Sequence, residues 1–168
     1  MPAVFRSIEP GDLGRVLAIN AANVPEVGAV DAARLRYLVD ESTFAIAVDL
    51  DDLLVGFCLV LAPGSDYTSV NYRWFMEHHP TSVYLDRVAI DEAVRGRGIG
   101  SDLYAEVDRR MRAETPDSTE LTLEVNADPP NEPSLRFHRR LGFREVGRQM
   151  SHGIEVSLMS RPVGWTSA

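Results

Sequence analysis

The stretch from Val83 to Met111, VYLDRVAIDEAVRGRGIGSDLYAEVDRRM, constrains this chain more than any other. Its opening run, Val83 to Ile90, is rich in β-branched and aromatic residues and reads as a strand. A short acidic turn then leads into glycines at alternate positions, Gly96, Gly98 and Gly100. Beyond them Leu103, Val107 and Met111 recur four apart and Tyr104 widens the apolar stripe, the period of a helix with one buried face. A strand, a glycine loop and a helix N-terminus together turn several backbone N–H groups toward an anion such as phosphate.

What the loop lacks narrows its chemistry. A P-loop needs a lysine after its last glycine, and all 17 residues of the Lys+Arg class are arginine. A dinucleotide fingerprint needs Gly-x-Gly-x-x-Gly, whereas the spacing here is Gly-x-Gly-x-Gly, mid-chain, with an arginine just ahead. Arg95-Gly96-Arg97-Gly98-Ile99-Gly100 instead resembles the pyrophosphate loop of the GNAT superfamily of N-acetyltransferases, Gln/Arg-x-x-Gly-x-Gly/Ala between a strand and a helix. The plainer alternative is a glycine-rich turn before an ordinary helix.

A length of 168 residues suits one domain, 1–168, able to bury a core without staples. The sequence has no apolar run of membrane-spanning length, and its N-terminus, MPAVFRSIEPGD, lacks the basic-then-apolar pattern of a signal peptide, so a cytoplasmic protein with no membrane partner is expected. Lone Cys58, inside LLVGFCLVLA, reads as a small core residue. A net charge of −8 argues against nucleic acid as a partner. The charge is uneven: residues 1–94 hold 6 arginines against 14 carboxylates, residues 95–168 hold 11 of each. The acidic part suits an amine substrate, although a merely solvated acidic surface is the simpler explanation.

Along the chain, Val4–Ile8 reads as a strand, Asp12 as the cap of a helix carrying Leu13, Val16, Leu17 and Ile19, and Asp31 as the cap of a second with Leu35, Leu38 and Val39 inward. Phe44–Val48 and Leu54–Leu61 form a hairpin about the acidic turn Asp49-Leu50-Asp51-Asp52. Ala62–Thr81 shows no clear period but holds Tyr67, Asn71, Tyr72, Trp74 and Phe75, too aromatic for disorder; a substrate-binding lid or wall is expected there, or a subunit interface. His78 and His79 have no ligand spacing around them, so no metal is expected. Leu121–Asn126 alternates as a two-faced strand, Asn131 caps a short helix ended by Gly142, and Phe143–Gln149 and Ile154–Ser160 are the last strands. The resulting fold is α/β (α+β), a mixed, largely antiparallel twisted sheet of about seven strands flanked by four helices. That is also the element order of the GNAT fold.

A second signature supports the resemblance. Leu123-Glu124-Val125-Asn126, followed by Asn131, Ser134, His138 and Leu141-Gly142-Phe143, is similar to the second GNAT motif: Asn, a small residue three on, an aromatic residue seven on, then Leu-Gly-Phe. The resemblance implies acetyl-CoA as donor, held by Arg95, Gly96, Arg97, Gly98, Ile99, Gly100 and Ser101, with Asn131, Ser134 and His138 on the second side. It further implies that the backbone N–H of Val88 receives the oxyanion and that Ile90 pairs with the pantetheine arm.

Transfer to an amine needs a base for the ammonium, stabilisation of the oxyanion and a proton for the thiolate. Glu124 stands where some protein N-terminal acetyltransferases of the family carry their base. Asp86, two residues before Val88 and so on the same strand face, competes with it, and water is a third source. His138 takes the position of the family's usual tyrosine acid; with an ordinary pKa of about 6.5 it serves as acid or sulfur contact, or simply packs. Asn126 and the aromatic segment would meet the acceptor. The expected function is an acetyl-CoA-dependent N-acetyltransferase acting on a primary amine of a small molecule or a protein N-terminus, by direct ternary-complex transfer. The alternative is a non-catalytic acyl-CoA-binding or sensing domain. A homodimer is the usual assembly.

Overall fold

The computed structural model describes residues 2–166. It contains seven strands in one mixed sheet, order β1-β2-β3-β4-β5-β7-β6, and five α-helices among the described residues. The fifth helix is a correction to the sequence reading. By contact, the chain divides into two compact units, Met1–Leu61 with Leu85–Val107, and Ala62–Tyr84 with Asp108–Ala168. Strand β4 (Ser82–Ile90) and helix α4 (Ile99–Glu114) contribute to both.

In the first unit, β1 (Val4–Ser7), β2 (Phe44–Leu50) and β3 (Leu53–Leu61) pair antiparallel. The β2–β3 turn is tighter than the four-residue stretch Asp49-Leu50-Asp51-Asp52 suggests: Asp51 and Asp52 alone turn the chain, at φ 52° and 64°. Asp adopts this left-handed conformation more readily than most residues, and such two-residue turns match the strand twist. Helices α1 (Leu13–Ala22) and α2 (Ala32–Glu41) pack on β3 and on each other, and Val16, Ile19, Leu35 and Leu38 are their buried apolar residues. Asp31 caps α2 as expected, accepting from Arg34 N at 2.7 Å. Asp12 stands at the N-cap of α1, but its side chain makes no capping bond to that helix. A 3₁₀ turn, Pro10–Asp12, precedes that helix, and the Asp12 carboxylate instead accepts from Glu9 N and from Arg6.

In the second unit, β4 pairs parallel with β5 (Glu120–Asp128), Tyr84 opposite Thr122. Strand β7 (Ile154–Pro162) lies antiparallel between β5 and β6 (Arg144–Ser151). The segment read as an irregular lid contains helix α3 (Val70–His78), capped by Ser69, whose side chain accepts from Tyr72 N. Asn71, Tyr72 and Phe75 are its buried residues, Phe75 lying one turn beyond the adjacent pair Asn71 and Tyr72. Gly147 on β6 gives this helix room: a Cβ there would lie 2.8 Å from the Trp74 ring. Asn71 completes the join, donating to Ser151 Oγ at 3.2 Å and accepting from Gln149 Nε2 at 2.6 Å. Helix α5 (Glu132–Arg140) follows its predicted cap, Asn131, which accepts from Ser134 N.

Candidate active site

The first unit carries the glycine loop and the second half of β4. After Ile90, Asp91 caps a 3₁₀ turn by accepting from Ala93 N at 3.0 Å, and Arg15 pairs with its other oxygen at 2.5 Å. Those bonds hold the Asp91 carboxyl below its ordinary range, the Ala93 N–H first and Arg15 second. Gly96 and Gly98 then take φ 77° and 81°, and a Cβ on either would meet nothing within 4 Å. Backbone conformation, not crowding, therefore calls for glycine, and open space lies beside the loop. Helix α4 starts at Ile99, so Ile99, Gly100 and Ser101 belong to the first turn, where N–H groups lack intrahelical partners. Ile99 itself is buried, and Arg95 reaches back to the Ile90 carbonyl and to Asn23 Oδ1. This geometry fits a phosphate-bearing ligand.

Val88 and Ile90 lie half-buried on β4. The Asp86 side chain, on the same strand, is 4% exposed and is occupied by its neighbour, accepting from Arg87 Nε at 2.8 Å.

In the second unit the central feature is a contact that sequence reasoning did not anticipate. Tyr84, fully buried, directs its hydroxyl at both carboxylate oxygens of Glu124, at 2.8 and 2.7 Å. The Tyr84 ring sits against Tyr72 and Phe75 of α3, with centroids 5.7 and 5.9 Å apart. Two sequence-predicted acceptor residues thus support the phenol that holds the predicted base. Tyr67 and Tyr72, with Arg73 and Met76, line a groove of about 530 Å³. Asn71 and Trp74 are engaged with β6 as described. Asn126 holds Asn131 through its carbonyl, which accepts from Asn131 N at 3.0 Å, so the strand end fixes the cap of α5.

His138 is buried, with Phe137 and Phe143 ring-edge against it. Its Nδ1 lies 2.8 Å from the Ser134 carbonyl and 3.2 Å from Ser134 Oγ. A carbonyl only accepts, so Nδ1 carries the proton in the neutral ring. Burial, aided by the Arg161 charge, pushes the imidazole down to about 4, against a partial lift from the Ser134 carbonyl bond. The imidazolium form is therefore scarce near neutrality, which weighs against His138 as a charged acid and for a packing role.

Among the described residues no group of His, Cys, Asp and Glu side chains could hold a metal ion, and no helix is long and apolar enough to cross a membrane. No curated protein matches the chain. Solved structures do match in fold. An Ard1 from Thermoplasma volcanium superposes with TM-score 0.77 at 22% identity, over 97% of this chain and 99% of that one. A ribosomal-protein-alanine N-acetyltransferase from Brucella melitensis gives 0.72 at 22%, over 95% and 99%. NAA60 of Arabidopsis thaliana, solved with acetyl-CoA, gives 0.73 at 21%, over 98% and 100%. The acetyltransferase (GNAT) family itself matches residues 19–143, a span that includes the glycine loop, Glu124 and the α5 motif. The chain belongs to the acetyltransferase (GNAT) family.

Proposed function

We propose that this acetyltransferase moves an acetyl group from acetyl-CoA to a primary amine, with Glu124 as the base, and that residues 1–168 act as one catalytic domain. The observation that carries the reading is the Tyr84–Glu124 bond, which fixes the orientation of a carboxylate on β5. The family match includes residues of both units, which supports one domain. Acetyl-CoA is the donor bound in the similar NAA60 structure, and the glycine loop offers the backbone conformation and the open space that a pyrophosphate requires. A protein N-terminus is the favoured acceptor, because similar folds include a ribosomal-protein-alanine N-acetyltransferase and Glu124 sits in Leu123-Glu124-Val125.

In this mechanism Glu124 takes a proton from the acceptor ammonium. The free amine forms its C–N bond at the thioester carbonyl, the Val88 N–H stabilises the resulting oxyanion, and the C–S bond breaks. The departing thiolate takes its proton from solvent, since His138 is neutral and its Nδ1–H is bonded to Ser134. Asn131 and Ser134 order the start of α5 on the donor side.

The test is CoA release with a panel of small amines and of peptides bearing free N-termini, run with the native protein and with Glu124→Gln. Turnover with at least one amine, reduced about a hundredfold or more in Glu124→Gln while acetyl-CoA binding persists, supports the reading. Acetyl-CoA binding without turnover on any amine favours a non-catalytic sensing domain instead.

A further inference from the structure

Helix α3 lies outside the element order that the sequence shares with the family, which has no helix between β3 and β4, yet it is fastened to the sheet at both ends. At its start Asn71, 4% exposed, reaches the edge strand β6, donating to Ser151 Oγ at 3.2 Å and accepting from Gln149 Nε2 at 2.6 Å. At its end the C-cap residue, His79, has its Nδ1 2.8 Å from Glu120 Oε1 on β5. Between the two, Trp74 lies over Gly147, where a Cβ would come within 2.8 Å of its ring. All of these residues belong to the second unit.

Glu120 and Glu124 stand four apart on β5 and so share one face of the strand. Glu120 meets the end of α3 directly. Glu124 meets the helix through Tyr84, whose hydroxyl bonds both carboxylate oxygens and whose ring packs against Tyr72 and Phe75, the buried aromatic residues of α3. Tyr72 is itself held by its hydroxyl, which donates to the Ala62 carbonyl at 2.8 Å. A continuous path thus runs from β6 through Asn71 and the helix to the Tyr84 ring and the Glu124 carboxylate. Each step along it is a hydrogen bond, a ring contact or the helix itself.

The first link constrains the rest. A nine-residue helix is too short to be stable alone, so bonds and packing at its surface set where it sits. A buried amide is costly to leave without partners, which holds Asn71 to β6.

We propose that Asn71 is a positioning residue for the base: by locking α3 to β6 it sets, through Tyr72, Phe75 and Tyr84, the orientation of the Glu124 carboxylate. Asn71 therefore acts on the acceptor through Glu124 and not by touching it. This rests on the reading of Glu124 as the base, but the orientation of the carboxylate has a readout that needs no substrate.

That readout is the NMR resonance of the Glu124 carboxyl carbon in ligand-free protein, identified by its loss in Glu124→Gln. Tyr84→Phe removes the bond to the carboxylate and supplies the reference displacement. Asn71→Leu, which keeps the bulk and loses both bonds, moves the resonance in the same direction. Gly147→Ala, which wedges Trp74 away from β6 without altering Asn71, does so too. With the panel amine that turns over fastest, Asn71→Leu lowers kcat about fivefold and leaves the acetyl-CoA KM within about twofold. Added to Tyr84→Phe it lowers kcat by less than about twofold more, because its effect passes through the phenol. A helix that served the fold alone would show a lower melting temperature in Asn71→Leu with the resonance and kcat unmoved. A Glu124 resonance unmoved in both variants overturns the proposal, and so does full additivity with Tyr84→Phe. If Asn71→Leu fails to fold, Gly147→Ala decides. If no amine turns over, the acetyltransferase reading fails, and the resonance alone decides whether α3 orients Glu124.

Discussion

The Tyr84 hydroxyl meets Glu124 at both carboxylate oxygens, 2.8 and 2.7 Å away. One phenolic proton is shared between two acceptors, so the bond holds the plane of the carboxylate without occupying all its lone pairs. The tyrosine is fixed in turn by the rings of Tyr72 and Phe75. A base held this way loses little entropy when it meets the acceptor.

Tyr84→Phe keeps the ring and removes the hydroxyl. The expected result is a fall in kcat of about ten- to a hundredfold, the range of one hydrogen bond to a charged group. Acetyl-CoA binding, measured by calorimetry, stays as it was. Combined with Glu124→Gln, the Phe substitution adds nothing further, because its effect passes through the carboxylate.

Gly98→Ala tests the loop. No atom obstructs the new methyl, so the whole cost is conformational: φ 81° is left-handed, worth about 1–2 kcal/mol against an L side chain. The loop relieves that strain by moving its N–H groups. The KM for acetyl-CoA should rise about tenfold or more, with only a small drop in melting temperature. A variant that melts much lower yet binds acetyl-CoA normally would show that the loop serves the fold alone.

What the sequence made legible follows from local rules. The alternate glycines, the four-residue period after them and the caps at Asp31 and Asn131 depend on neighbours in the chain, and each appears where its spacing placed it. Helix α3 was hidden because its apolar residues, Val70, Tyr72, Trp74, Phe75 and Met76, fall on several sides of a nine-residue helix and mark no single stripe. Tyr84 was hidden for another reason. Its bond to Glu124 depends on the parallel register of β4 and β5, Tyr84 opposite Thr122, which no local pattern encodes. The surroundings of His138 likewise depend on the Phe143 ring and the Arg161 charge, supplied by later parts of the chain.

His138 makes the fold sensitive to acid. Its native pKa, about 4, lies below the 6.5 of an exposed imidazole. Between those values the unfolded chain binds a proton that the native state refuses. The associated stability is therefore fully present above about pH 6.5 and is lost as pH falls toward 4, on the order of 3 kcal/mol in all. His138→Phe should flatten the decline of urea midpoints between pH 6.5 and 4.5, and should leave the pH profile of kcat unaltered. A changed profile would restore His138 to the chemistry.

Arg161 and Asp108 form a buried pair in the second unit, Nη2 to Oδ2 at 2.7 Å, with side chains 2% and 7% exposed. Arg161 also donates to the Leu141 carbonyl at 3.0 Å and lies 5.0 Å from the Phe143 ring centroid, so it fastens the turn after α5. Asp108 Oδ1 accepts no hydrogen bond among the described residues, which leaves the pair short of full satisfaction. Such a pair is costly to break and cheap to replace. Asp108→Leu strands a buried guanidinium and should cost about 3–5 kcal/mol, roughly a 10 °C fall in melting temperature for a chain of this size. Arg161→Met added to Asp108→Leu should recover most of that loss, because no charge is then left buried. A double variant no more stable than Asp108→Leu alone would mean that the Leu141 carbonyl bond, and not the ion pair, is what holds this part of the fold.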